Sequence, residues 1–300
     1  GLKEVFIKDS SFAGFIEAHN SSQECGVDLR FGYQFVVCQN MADKSPESRE
    51  TESKVTIWLK NSEGYKSAVD ISSKAATEGF YYYPRLDWDT FAQMLDNNLI
   101  LSIPMFDGFI HTNTLKNGRI VPNFGSVKPI FFVEDLHELP FQNLLKESIL
   151  NYCESTGYKV YNTHQSYYYK ESHFKHYSVF RCIAKKSTLS APNLDGFSSD
   201  KFAFETLLNS GAENSAIGFS DRFTKYDFPD FGWTRLPKPP ITKEDREKYG
   251  GSELESNSKF LSKLVMDGFR QKLESGQIPK QDYQKYIDRC KFELNTFDEL

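Results

Sequence analysis

The chain has 300 residues, enough for about two domains of ordinary size and too many for a peptide or a single small binding module. Its 36 basic and 41 acidic residues give a net charge of -5, which excludes the strongly basic character of a dedicated nucleic-acid-binding protein. Charged residues make up 26% of the chain, and no apolar run approaches the ~18 residues of a membrane-spanning helix. We therefore expect a soluble, globular chain in which any contact with DNA is local.

The cysteines give a further indication of cellular location. The five of them, an odd number, show no C-x-x-C spacing, which argues against a disulfide framework and against a zinc ribbon: Cys25, Cys38, Cys153, Cys182 and Cys290. The first residues enter a predicted strand and lack the charged and apolar regions of a signal peptide. We expect a reducing, cytoplasmic location.

Along the first half of the chain, short runs rich in β-branched and aromatic residues alternate with segments of helical period. This alternation is typical of parallel strands joined by crossover helices, and it predicts an α/β fold. The predicted strands are residues 4–8, 29–38, 55–59, 99–105, 129–133 and 158–162. The 42 Phe and Tyr residues, 26 and 16 respectively, predict an aromatic core.

Helix ends are marked by residues that favour caps. Ser10 or Ser11, Asn61 and Asp87 each precede an apolar pattern of helical spacing and predict helix starts. A helix over residues 141–155 is expected to end at Gly157, a residue type that adopts the left-handed cap conformation easily. Residues 41–53 are polar and charged, and we predict a surface loop or a hairpin tip there.

The pattern changes in the last quarter of the chain. Regular alternation fades after residue 185 into short helical pieces over 199–209 and 211–217, and the proline-rich residues 236–240 predict a stiff connector. Two amphipathic helices follow, with apolar stripes at Leu261, Leu264, Val265, Phe269 and Leu273, and at Tyr283, Ile287, Cys290, Leu294 and Phe297. We predict two domains, residues 1–235 and 236–300.

The common signatures of enzyme sites, namely a P-loop, a G-x-G-x-x-G after a strand, a G-x-S-x-G elbow and an H-E-x-x-H, do not occur in this sequence. What remains are polar residues near predicted strand ends, where α/β folds place their sites: Asp9, Gln34, Asn162, His164 and Ser166. Residue type alone makes these weak signals.

Five segments, in this order along the chain, are similar to those of one known family. They are VFIKDSSFAGFIE at 5–17, FGYQFVV at 31–37, LKNSEGY at 59–65, TEGFYYYPRLD at 77–87 and VYNTHQSY at 160–167. They resemble the polymerase and histidinol phosphatase (PHP) domain, in the version carried by bacterial or phage C-family DNA polymerases. Residues 212–214 resemble the segment that closes that domain, and residues 278–300 resemble the helix that leads into the polymerase palm.

The resemblance implies a fold and a site. The fold expected is α/β: a PHP-like distorted (β/α)7 barrel lacking its first strand, which would precede Gly1, followed by an α-helical segment. Family domains hold up to three metal ions at strand ends through His, Asp, Glu and sometimes Cys. At the corresponding positions this sequence has Asp9, Ser10, Gln34, Ala76, Met105, His164 and Ser166.

Within this set only Asp9 and His164 are plausible ligands, fewer than the three or four that a catalytic zinc requires. The resemblance therefore implies a vestigial, metal-free cleft with no catalytic residue. Asp9 would instead act as a cap or hydrogen-bond partner, and His164 as a buried imidazole.

The function implied by the resemblance is that of a polymerase fragment. The chain would be the N-terminal portion of a replicative polymerase of a bacterial cell or its phage, serving as a scaffold for palm and thumb. Nucleotidyl transfer with divalent metal (Mg²⁺), and the DNA and sliding-clamp partners, would belong to the parent. The competing interpretations are a metal-dependent phosphoesterase or 3′-5′ proofreading exonuclease, and a single-strand DNA-binding module, which the net charge of -5 opposes.

Residues 170–186 have two further interpretations. Basic residues there alternate with aromatic ones, as on a helix that faces DNA: Lys170, Lys175, Arg181, Lys185 and Lys186 among His173, Phe174, His176, Tyr177 and Phe180. With helical spacing, we expect the aromatic side chains to face the core and the lysines to face water. Cys153, on an apolar helix face, is predicted to be a small buried hydrophobe rather than a nucleophile.

Overall fold

The computed structural model describes residues 2–135, 139–190, 199–209, 218–228, 240–249 and 257–299. The chain divides into two compact units, Gly1–Pro229 and Asp230–Leu300. The predicted domain boundary at 235/236, the connector up to residue 239, the piece at 211–217 and the motif at 212–214 lie outside the described residues.

In its described residues, the first unit contains one mixed sheet of seven strands. The strands are β1 (Glu4–Asp9), β2 (Asp28–Cys38), β3 (Ser53–Leu59), β4 (Arg85–Asp87), β5 (Leu99–Ile103), β6 (Ile130–Val133) and β7 (Lys159–Asn162). Their order is β1-β2-β3-β5-β6-β7, and β4 pairs with the end of β2, beyond β1. The curled sheet and its helices agree with the expected PHP-like distorted barrel.

One strand runs against the predicted direction. The pairs β1/β2, β5/β6 and β6/β7 are parallel, but β3 is antiparallel to both β2 and β5. The reason is the connection from β2, which folds as a loop with a 3₁₀ helix at Pro46–Thr51 rather than as a crossover α-helix. The buried Arg85 holds this loop through Glu52 at 3.1 Å and Ser48 at 3.0 Å. The start of β3 therefore lies where β2 and β5 end.

Seven α-helices lie in the described part of the first unit. They are α1 (Phe15–Cys25), α2 (Ser62–Thr77), α3 (Trp88–Met94), α4 (Phe109–Leu115), α5 (Gln142–Thr156), α6 (Phe174–Lys185) and α7 (Phe204–Asn209). The caps predicted for α2 and α3 are confirmed: Asn61 accepts the Gly64 N–H and Asp87 accepts the Thr90 N–H, both at 2.9 Å. Gly157 ends α5 with φ of 72°. The start predicted for α1 at Ser10 or Ser11 is wrong, because the chain turns first and the helix begins at Phe15.

Aromatic side chains fill much of the core, as predicted. Phe15, Phe31, Phe91 and Phe131 are fully buried. A separate cluster of rings centres on Phe219, whose ring lies 5.4 Å from Phe6 of β1 and 5.6 Å from Tyr161 of β7. The ring also packs against Trp58 of β3 at 5.8 Å and Phe132 of β6 at 5.6 Å, so it joins several strands of the curled sheet, among them β1 and β7, the first and last in the sheet order. We call the gap between β1 and β7 the seam.

The second unit contains α8 (Lys243–Tyr249), α9 (Asn257–Glu274) and α10 (Tyr283–Glu299) in its described residues. The two predicted amphipathic stripes fall on α9 and α10. Phe269, Ile278 and Ile287 are buried between these helices, with Met266, Leu273 and Cys290 packed around them. None of the described helices of either unit combines the length and the apolarity needed to cross a lipid bilayer.

Candidate functional site

Charged and polar side chains converge where the strands of the first unit end. Lys8 is in β1, Lys54 is at the start of the antiparallel β3, and Asp107, Glu134 and Gln165 follow β5, β6 and β7. Parallel strands place their carboxyl ends at one edge of a sheet, and the reversed β3 brings its first residues to the same edge. We call this set of five residues the charged cleft.

One side of the charged cleft is a chain of hydrogen bonds. Gln165 donates its backbone N–H to Glu134 Oε2 at 3.0 Å, and its side-chain amide donates to Glu134 Oε1. The amide oxygen of Gln165 accepts from the Lys8 ammonium group and from the Tyr167 hydroxyl, the latter at 2.9 Å. Glu134 is fully buried, so this network supplies partners to a carboxylate that water does not reach.

The other side of the charged cleft is an ion pair. Lys54 Nζ lies 2.6 Å from Asp107 Oδ2, and the Lys54 backbone N–H donates to the Asp107 carbonyl at 2.8 Å. Asp107 has φ of 62°, a left-handed conformation that Asp tolerates better than most residues. Burial raises the pKa of Asp107, but Lys54 outweighs burial and lowers this pKa to about 2. Asp107 is therefore ionised at neutral pH.

The two sides of the charged cleft are electrostatically connected. Burial of the ammonium group lowers the pKa of Lys8 from 10.5 to about 8, Glu134 opposes this shift, and Lys54 adds to it. Asp107 also raises the pKa of Lys8. Two ammonium groups and two carboxylates thus lie within electrostatic reach of one another.

The residues predicted from family ligand positions are more scattered. Asp9 and Ser10 are exposed at the end of β1, where Asp9 Oδ1 accepts the Ser10 N–H at 2.6 Å, and Ser166 is exposed in the loop after β7. Ala76 is exposed on α2, and His164 is half-buried.

Two of the predicted positions lie deeper in the first unit. Gln34 is half-buried in β2 and donates to Thr56 Oγ1 at 3.4 Å. Met105 is fully buried, and its sulfur accepts the Glu134 N–H at 3.1 Å, so this position contacts the charged cleft.

Sequence reasoning did not single out the five residues of the charged cleft. A weak signal was present, because Glu134 directly follows the apolar strand run Ile-Phe-Phe-Val and Asp107 closely follows Leu-Ile-Leu-Ser-Ile. Lys8 precedes Asp9 inside a motif that was noted for the aspartate. A lysine is not a metal ligand of this family, so a search for ligands passes over it.

The expectation for Cys153 is confirmed, and the expectation for the orientation of α6 is right only in part. Cys153 is buried on α5, and burial raises the pKa of its thiol to about 12, in agreement with a small buried hydrophobe. On α6 the expected inward orientation is right for Tyr177, whose ring stacks 5.2 Å from Tyr167. It is wrong for Phe180, which is 72% exposed beside the 70% exposed Ile183. The helix turns its tyrosine inward and leaves a second apolar face outside.

Comparison with known proteins defines the class of the first part of the chain. Residues 1–128, which carry β1 to β5, match the PHP domain model. Over these residues the chain is similar to the PHP domain family.

Relatives of the chain have a common name, DNA polymerase III subunit alpha. The protein from Helicobacter pylori is 22% identical over 331 aligned positions, which cover 100% of this chain and 27% of that protein. The Thermus aquaticus protein is 24% identical over 64% of this chain, and the Chlamydia pneumoniae protein 31% identical over 34% of it. The chain spans about a quarter of the length of the Helicobacter relatives.

Proposed function

We propose that this chain is the N-terminal portion of a replicative DNA polymerase III alpha-like subunit, in which the PHP domain is a metal-free scaffold. Support for the first part comes from relatives of that name, two of which match along the whole chain. Support for the second part comes from the side chains at the ligand positions of the family.

The metal-free role rests mainly on the environment of Met105. Met105 stands at a position where the family has a metal ligand. Here its side chain is fully buried, and its sulfur accepts the backbone N–H of Glu134. A thioether selects soft ions such as Cu(I), and it does not serve the zinc, manganese or magnesium of phosphoesterase sites. Ala76 offers no donor atom, and Gln34 keeps the shape of a glutamate without its charge. These residues do not fit a cluster of divalent ions, so we derive no metal-dependent step in this cleft.

The activities of the whole polymerase belong to this proposal as well. Nucleotidyl transfer uses Mg²⁺ held by acidic residues, which we place in the rest of the polymerase chain, beyond Leu300. The palm and thumb would pack on the PHP scaffold, and DNA and a sliding clamp would be partners of the complete subunit in the bacterial cytoplasm. Primer extension by the longer natural protein, dependent on Mg²⁺, tests this part.

Elemental analysis of protein purified without chelator tests the metal-free role. We expect far less than one equivalent of zinc, manganese or iron per chain. A single-stranded DNA substrate should show no 3′-5′ degradation above background, and Asp9→Ala should leave that background unchanged. About one equivalent of metal, together with a nuclease activity that Asp9→Ala abolishes, would instead establish the exonuclease interpretation.

A further inference from the structure

The charged cleft contains as many ammonium groups as carboxylates. We infer that Lys8 and Lys54 take the place of metal ions in this PHP domain, neutralising Glu134 and Asp107 and joining strand ends across the seam. This inference rests on the proposed metal-free role, and it identifies the cations that replace the ions.

Glu134 is the carboxylate that most needs a counter-charge. It is fully buried, and an isolated ionised carboxylate in such a place would cost several kcal/mol or would take up a proton. Gln165 donates both its backbone and its side-chain N–H groups to Glu134, and Lys8 donates to the oxygen of the same amide. The amide of Gln165 therefore lies between the two charges with its dipole aligned, and passes the stabilisation from Lys8 to Glu134.

Lys54 serves Asp107 directly, at 2.6 Å. The pair joins the start of β3 to the turn after β5, so each lysine is assigned to one carboxylate. Each ammonium group carries three donors and no lone pair while it is protonated. It can neutralise an anion as a metal ion does, but it repels a divalent cation and offers that cation no ligand.

The contact between Lys8 and Gln165 also has a structural consequence. Lys8 is in β1 and Gln165 follows β7, so the hydrogen bond crosses the seam between residues 157 positions apart. Lys54 lies in β3, and Asp107 and Glu134 follow β5 and β6, so these residues come from the strands in between. In a metal-bearing site, one ion would gather ligands from several strand ends. Here the lysines and Gln165 connect the same ends.

A double-mutant cycle on the 300-residue chain tests the inference. Lys8→Gln and Glu134→Gln should each lower Tm by several degrees, because each leaves one charge of the cleft without its opposite. The double variant should recover most of the combined loss, because both charges are then gone. Lys60→Gln is the matched control: this lysine follows β3 at the other end of the strand, and its ammonium group donates to the Asn97 carbonyl at 3.4 Å. It should leave Tm within about one degree.

The outcomes separate the two claims. Additive losses in the cycle would overturn the inference while leaving the metal-free role in place. One equivalent of tightly bound metal in the parent chain, or a rise of its Tm with millimolar Mn²⁺, would overturn the metal-free role itself. If Lys8→Gln does not fold, folding of the double variant still supports the inference. If neither folds, the same cycle with Lys54→Gln and Asp107→Asn decides it by the same criterion.

Discussion

At the scale of single residues, Asp107 makes the stability of the first unit depend on pH in the acidic range. Its pKa is lowered by Lys54 to about 2, below the ~4 of an aspartate in an unfolded chain. Folding therefore favours the ionised form, and the stabilisation is complete above pH ~4 and is lost as the pH falls towards 2. The Lys54 side chain is 39% exposed, so solvent screens part of the attraction.

We expect Asp107→Asn to lower the free energy of unfolding at pH 7 and to have almost no effect near pH 2, where the parent carboxyl is also being protonated. Urea unfolding at several pH values between 2 and 7 measures this. Asp70→Asn, on the exposed face of α2, is the control and should follow the parent at every pH. A difference between Asp107→Asn and the parent that stays constant with pH would contradict the assignment.

Residues with local roles could be predicted from the sequence, and residues with distant partners could not. Asn61 and Asp87 bond to backbone groups three positions away, so their role as helix caps is visible in a short stretch of sequence. Lys8 bonds to Gln165, 157 positions away, and nothing near Lys8 indicates that partner. The family resemblance located the edge of the sheet, but it directed attention to ligand positions rather than to the lysines beside them.

At the scale of elements, α6 presents apolar side chains on two faces. The inner face holds Tyr177, and the outer face holds Val179, Phe180 and Ile183, at 45%, 72% and 70% exposure. Helical periodicity identifies amphipathic helices, but a helix that is apolar on two faces gives no direction from spacing alone. For a similar reason β4, of three residues, and α4, of seven, are too short for a periodic signal.

The same substitution, isoleucine to alanine, made on α6 and on α5 tests whether the outer face of α6 is exposed in solution. Ile183→Ala on the outer face of α6 should change the free energy of unfolding by less than about 0.5 kcal/mol. Ile149→Ala on α5, where the side chain is 1% exposed, should cost about 2 to 5 kcal/mol because it leaves a cavity. Chemical denaturation of both variants makes the comparison. Equal costs would mean that the outer face of α6 is packed in solution.

The pair α9 and α10 has a small buried centre. Phe269, Ile278 and Ile287 are buried, while Tyr286 and Phe292 of α10 are 43% and 60% exposed. Full burial of one large apolar side chain contributes about 1.5 to 3 kcal/mol. Burial of the exposed side chains of this helix pair would therefore stabilise it further. We propose that these faces are covered by later parts of the polymerase chain.

Amide hydrogen exchange tests this element directly. In the 300-residue chain, residues 279–299 should exchange faster than α5, which is anchored by Leu145, Ile149 and Cys153. Protection of α10 equal to that of α5, in protein shown to be monomeric, would mean that the helix is already fully packed. The proposal that later parts of the chain cover it would then fail.

At the scale of the whole molecule, the net charge of -5 sets the expected behaviour towards DNA. Binding to DNA depends on the number of phosphates that a protein neutralises, because each contact releases counterions. In the charged cleft the two lysines already face two carboxylates, which leaves no surplus of positive charge there.

We therefore expect weak binding of single-stranded and duplex DNA, easily reversed by salt. Fluorescence anisotropy with labelled oligonucleotides at increasing salt measures this. A submicromolar Kd at about 150 mM salt, which is typical of specific recognition, would contradict the prediction and favour the DNA-binding interpretation of residues 170–186.

The ring of Phe219 bears on whether the sheet can take up a strand from another molecule. A strand at the margin of an open sheet presents free backbone N–H and C=O groups, and these can template the addition of a strand from another chain. In the described sheet β1 and β7 hold such margins, and the ring of Phe219 packs against Phe6 of β1 and Tyr161 of β7 as well as against Trp58 and Phe132 of the strands between them. Because one ring contacts both marginal strands, moving them apart to insert a further strand would break this aromatic packing.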